Sequence, residues 1–181
     1  SLDELLGKEY ARIFLVWGLK QHPLFANINE GALVELTAAA AFKCYGPGEV
    51  IVREETPADN LYVFRAGFGR ISRVLVEESL TINYLEPGET FGAQEFFQNR
   101  DFRFTHTLTS YEFSDVLEIP HEAVRELLRY DFSMSQRLHD CARAFNAKCD
   151  FAEPPERSGI SLFMETPRPA TNALFDATRL A

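Results

Sequence analysis

The sequence predicts an α+β fold, mainly β: a closed or sandwiched antiparallel β unit with helices at both ends. Three observations predict it. Short apolar runs, several of them alternating and most closed by glycine or proline, fill residues 41–119. Helical periodicity flanks that stretch on either side. Two Pro-Gly-Glu turns, starting at Pro47 and Pro87, look like related corners of one roll, although the match is too short to make a repeat.

In chain order, residues 2–19 read as an amphipathic helix. Leu2, Leu6, Tyr10, Ile13 and Trp17 recur at helical spacing, with charged residues between them. His22-Pro23 ends it, because the residue before proline is pushed out of the helical region. A second helix is expected over about 29–40. Strands are then expected at 50–52, 61–64, 69–76, 80–85, 107–111 and 115–119, after a first turn at 45–49. Past Pro120 the helical period returns in a short helix carrying Ala123, Val124, Leu127 and Leu128. A longer one over 133–148 puts Met134, Leu138, Cys141 and Phe145 on one face. Beyond Asp150, Pro154, Pro155, Pro167 and Pro169 forbid a continuous helix or central strand. The expected organisation is a linker helix at 1–21, a domain at 22–148 and a proline-containing tail at 149–181.

Composition narrows the function. The 181 residues, 46% hydrophobic, suit one domain with extensions, and no apolar run is long enough to cross a bilayer. A net charge of −9 argues against nucleic acid as a partner and against anionic membranes. Cys44, Cys141 and Cys149 are scattered, odd in number and without CxxC spacing, which fits a reducing, cytoplasmic compartment. No nucleophile elbow, telling carboxylate pair or ligand cluster appears, so catalysis is not expected. His106 is a lone histidine in the roll, too little for a metal site. His22, His121 and His139 read as turn or cap residues.

The stretch 87–109 carries most of the chemistry. A tight turn leads to Gly92, where the backbone can approach a ligand. Gln94 to Gln98 can form a short helical turn, and Arg103 follows. Amide groups at the start of a helical turn favour an anion, and a guanidinium fork matches phosphate oxygens in pairs.

These segments in this order resemble the cyclic nucleotide-binding domain family. The carriers are 45–51 (Tyr-Gly-Pro-Gly-Glu-Val-Ile), 58–63 (Ala-Asp-Asn-Leu-Tyr-Val), Ala66-Gly67, 87–92 (Pro-Gly-Glu-Thr-Phe-Gly) and Arg103. The resemblance runs from about His22 to Phe145. It implies a phosphate-binding cassette after the second Pro-Gly-Glu turn, with Phe91, Gly92, Ala93, Gln94, Arg103, Phe104 and Thr105 at the ligand. It also implies an antiparallel eight-stranded β-roll or jelly roll, a hinge helix and a final helix that closes over the base as a lid. The ligand would be cAMP or cGMP, with no further cofactor. Arg100 is a nearby substitute for Arg103.

Two residues depart from the family pattern. Members that bind usually have a glutamate after the glycine, where it accepts from the ribose 2′-hydroxyl; Ala93 cannot. Losing a charge-assisted hydrogen bond costs about 1.5–3 kcal/mol, with Gln94 and Glu95 as candidate substitutes. The residue after the arginine is usually small, and Phe104 could either fill the phosphate cavity or turn outward. Two readings follow. In one, the domain senses a cyclic nucleotide and relays binding through its C-terminal helices to an effector outside this chain. In the other, the pocket is lost and the domain is an interaction or dimerisation module, a homodimer through its N- or C-terminal helices included, with residues 162–164 of the tail as one candidate filling for the pocket.

Overall fold

The computed structural model describes residues 2–75, 78–98 and 101–150, so the tail and Arg100 lie outside the described residues. Helix α1 (Leu2–Gln21) is followed by a 3-10 turn at Pro23–Phe25 and by α2 (Glu30–Ala39). Asn29 starts α2 by accepting from the Gly31 amide at 2.7 Å, which satisfies one of the donors a helix start leaves free.

The roll contains β1 (Ala41–Tyr45), β2 (Val50–Val52), β3 (Asn60–Ala66), β4 (Gly69–Leu75), β5 (Glu78–Leu85), β6 (Thr90–Phe91), β7 (Thr107–Ser110) and β8 (Ser114–Pro120). They form two antiparallel four-stranded sheets, ordered β1-β8-β3-β6 and β2-β7-β4-β5. A helical turn α3 (Ala93–Phe96) interrupts the strands, and α4 (His121–Tyr130) and α5 (Ser133–Asp150) close the described chain.

Strand β3 explains how the core divides. Successive side chains point to opposite faces of a strand, and four consecutive β3 residues are buried. Leu61 and Val63 join Leu117, Ile119 and the helices in one apolar cluster. Tyr62 and Phe64 point into the roll with Val52, Ile71, Leu85, Phe91, Phe104, Leu108, Val116 and Phe145.

Helix α1 departs from the expected burial. Among its described side chains Val16 and Leu19 are buried, with Leu15 packed partly against the same cluster. The periodic residues Leu6, Tyr10, Ile13 and Trp17 face outward. The helix carries apolar residues on two sides, and periodicity alone does not say which side meets the domain.

Candidate functional site

Gly92 sits between β6 and α3 with φ 94°. This is the left-handed region that glycine enters at little cost, and a Cβ would collide with the Asn60 carbonyl oxygen. No other residue fits there. The Phe96 amide donates back to the Gly92 carbonyl at 3.2 Å, closing the turn.

The predicted site residues divide between three environments. Phe91 and Phe104 meet inside the roll, their ring centroids 5.4 Å apart. Ala93 is buried on the other side, in the cluster beneath the helices. Gln94 and Thr105 are half-buried, and Arg103 is exposed. The cause of this division is an extended segment at 102–104 that pairs with residues 55–58. The Glu55 amide donates to the Phe104 carbonyl at 2.8 Å, and the Phe104 amide to the Thr56 carbonyl at 3.0 Å. Neighbours in an extended segment face opposite ways. Phe104, 1% exposed, therefore enters the roll while Arg103 points out and donates to the Glu55 carbonyl.

The Phe104 ring completes an aromatic cluster. Tyr62 lies 6.1 Å from it, and Phe145 of α5 meets Phe91 edge-on at 5.4 Å and 87°. Such tilted and edge-to-face pairs are each worth about 0.5–1.5 kcal/mol beyond simple burial. The chamber that the resemblance would give to a phosphate and sugar is lined with the protein's own rings.

Glu95 occupies the polar part of the cassette. It is 2% exposed, and neither carboxylate oxygen has a hydrogen-bond partner. Burial raises its pKa; its own amide and the Thr105 amide and hydroxyl act in the opposite direction. A carboxyl group of the protein itself thus lies beside Thr105. The Thr105 hydroxyl lies 2.9 Å from His106 Nδ1, and the His106 ring meets Phe145 edge-on at 5.7 Å.

Further contacts tie the cassette to the C-terminal helices. His121, the first residue of α4, donates from Nε2 to the Gly92 carbonyl at 3.1 Å. Burial lowers its pKa to about 4, so the ring is neutral near pH 7. Phe97, just after α3, stacks on His139 of α5 at 3.7 Å. Lys148 reaches the Tyr84 carbonyl at 3.2 Å and the Glu89 carboxylate of the second Pro-Gly-Glu turn. The final helix is therefore docked over the cassette.

Sequence reading placed His121 at a turn and did not connect it to Gly92. Glu95 reads in the sequence only as a substitute for the missing glutamate, and Phe145 as one residue of an apolar helix face. The available signal was a carboxylate directly before two phenylalanines, in the Ala-Gln-Glu-Phe-Phe stretch at 93–97. Among the described residues, no group of three or more His, Cys, Asp or Glu is placed to hold a metal ion. No described helix is long and apolar enough to cross a membrane.

Comparison with known proteins agrees with this architecture. No curated protein matches the chain in sequence. The sensor domain of the transcriptional regulator DNR from Pseudomonas aeruginosa is similar in structure, with TM-score 0.66 and 19% identity over 79% of this chain and 96% of that one. A putative cyclic nucleotide-binding protein from Geobacter metallireducens aligns with TM-score 0.57 and 20% identity, over 78% of this chain and 96% of its own. The regulatory subunit of a cAMP-independent protein kinase A from Trypanosoma cruzi, solved with guanosine, aligns with TM-score 0.61 and 17% identity, over 80% of this chain and 53% of its own. At these identities the likenesses show the fold. The family model for the cyclic nucleotide-binding domain matches residues 42–131, and with the eight-stranded roll, the Gly92 turn and the docked C-terminal helices in place, the domain that contains these residues belongs to the cyclic nucleotide-binding domain family.

Proposed function

We propose that this is a regulatory domain whose chamber is filled by its own side chains, so that neither cAMP nor cGMP is its signal. The observation that carries this is Phe104, buried among Tyr62, Phe91 and Phe145. The Glu95 carboxyl beside Thr105 supports it, because a second anion placed there would meet like charge or compete for the same donors. The outward course of Arg103 also supports it: a phosphate inside the roll would lack its guanidinium. Output then runs through α4 and α5, which His121 and Phe97 already couple to the cassette, to an effector outside this chain.

A second reading is favoured by Glu95 alone. A buried carboxylate suits an uncharged hydrogen-bond donor, such as a nucleoside hydroxyl, better than a phosphate. The Trypanosoma cruzi relative was solved with guanosine. Such a ligand would have to displace the Phe104 ring and open α5.

Titration calorimetry with cAMP, cGMP and guanosine tests both readings. The expected result is no heat with either cyclic nucleotide up to about 1 mM, a limit of about −4 kcal/mol in binding free energy. Micromolar binding of cAMP or cGMP would overturn the proposal. Guanosine binding that Glu95→Ala abolishes would establish the second reading in its place.

A further inference from the structure

Helix α1 has two apolar faces. Leu15, Val16 and Leu19 turn toward the domain core. Leu6, Tyr10, Ile13, Phe14 and Trp17 are 49%, 72%, 58%, 57% and 60% exposed. At 3.6 residues per turn, this second set occupies a stripe about 100° wide, centred roughly 150° from the first. A helix apolar on both sides needs a partner on each. Leu6, Tyr10, Ile13 and Trp17 also follow the 4-3-4 spacing of a helix–helix seam, with Phe14 beside it.

We infer that this outward stripe is a self-association seam, occupied by the same stripe of a second copy of this chain. Side-chain size supports the choice. With two α1 helices antiparallel about a twofold axis, Leu6 faces Trp17 and Tyr10 faces Ile13, so each large ring meets an aliphatic side chain. Area supports it as well. Five large side chains about half exposed or more offer on the order of 600 Å² per copy, or about 1,200 Å² per pair, the lower edge of a standard interface. The patch continues past the helix: Arg65 lies over both Phe14 and Phe42, at 5.7 and 4.7 Å, beside an apolar cleft of about 230 Å³. Charge argues against a lipid surface as the occupant. Asp3, Glu4 and Glu9 balance Lys8, Arg12 and Lys20, and the basic excess that draws a helix to anionic lipid is missing.

This inference rests on the reading of the chain as a regulatory domain with a self-filled chamber for its purpose, but not for its test. Calorimetry can find a nucleotide whether or not the chain pairs. Trp17 is the single tryptophan of the chain, so its fluorescence reports the seam directly. The experiment is sedimentation of the full chain across a dilution series, with emission recorded on the same samples. The expected result is a dimer with blue-shifted emission that reverts to the solvent-exposed value as the dimer dissociates. Tyr10→Glu should weaken dimerisation on the order of a hundredfold while leaving the monomer's circular dichroism unchanged. A chain that stays monomeric up to about 1 mM would overturn the inference, and so would a dimer that Tyr10→Glu leaves intact. A monomer whose Trp17 is already shielded would do the same, and would assign the stripe to another segment such as residues 151–181. A blue shift that appears only on adding anionic vesicles would overturn it in favour of a lipid surface.

Discussion

Glu95 places a carboxyl group in an enclosed site, and burial pushes its pKa up from the usual 4.5. A carboxyl that keeps its proton more readily when folded contributes stability at low pH, and that contribution is lost as pH rises. The isosteric Glu95→Gln removes the titration. The variant should therefore melt higher than the parent at neutral pH, with the difference shrinking to nothing below about pH 4.5; parallel thermal melts from pH 4 to 8 check this. Phe104 poses a packing question. Its ring touches Tyr62 and Phe91 and lies 1% exposed, so Phe104→Ala should leave a cavity and cost about 3–5 kcal/mol in urea unfolding. A loss below 1 kcal/mol would mean that the ring is not part of the native core. Phe104 was visible in the sequence as a departure from a binding pattern, and Glu95 as a candidate substitute for the glutamate that Ala93 replaces. The direction of Phe104 was not, because it follows from the pairing of 102–104 with 55–58, a contact across nearly fifty residues.

Among the elements, α5 is held to the roll by contacts of different kinds. Phe145 enters the aromatic cluster, His139 stacks on Phe97, Lys148 reaches Glu89, and Arg137 donates to the Leu24 carbonyl at 2.9 Å. The apolar contact should carry most of the energy, since partly exposed ion pairs contribute little. Phe145→Ala should accordingly raise amide exchange through the second half of α5 by more than tenfold, with the strands unaffected. Uniform exchange in parent and variant would show that the polar contacts alone hold the helix. The extent of α5, the start of α4 after Pro120 and most strands were legible as periodicities and turn residues. β6 was not read as a strand, since Thr90–Phe91 is two residues long and takes its pairing from Tyr62 and Val63.

At the scale of the whole molecule, the two clusters divide the labour. The roll's interior is closed by aromatic rings, and the outer cluster binds that roll to α1, α2, α4 and α5. His121 ties the cassette to the outer cluster, since one ring bonds to Gly92 and meets Phe96 edge-on at 5.2 Å. A change in the cassette would therefore be felt at the first turn of α4 without passing through solvent. The same organisation leaves one side of α1 uncovered, so the surface proposed for self-association lies away from the chamber that a ligand would enter.

By itself, the sequence determined the class of this protein. Turn residues, strand alternation and the order Pro-Gly-Glu, Phe-Gly, Arg are local properties, set by backbone sterics and by short-range spacing. Only the tertiary structure decided the state of the site and of α1. Whether Phe104 fills the roll, whether Arg103 leaves it, and which apolar face of α1 is buried depend on contacts between residues far apart in the chain. Those contacts are fixed when the strands pair and the core closes, because only then does each side chain meet either protein or water.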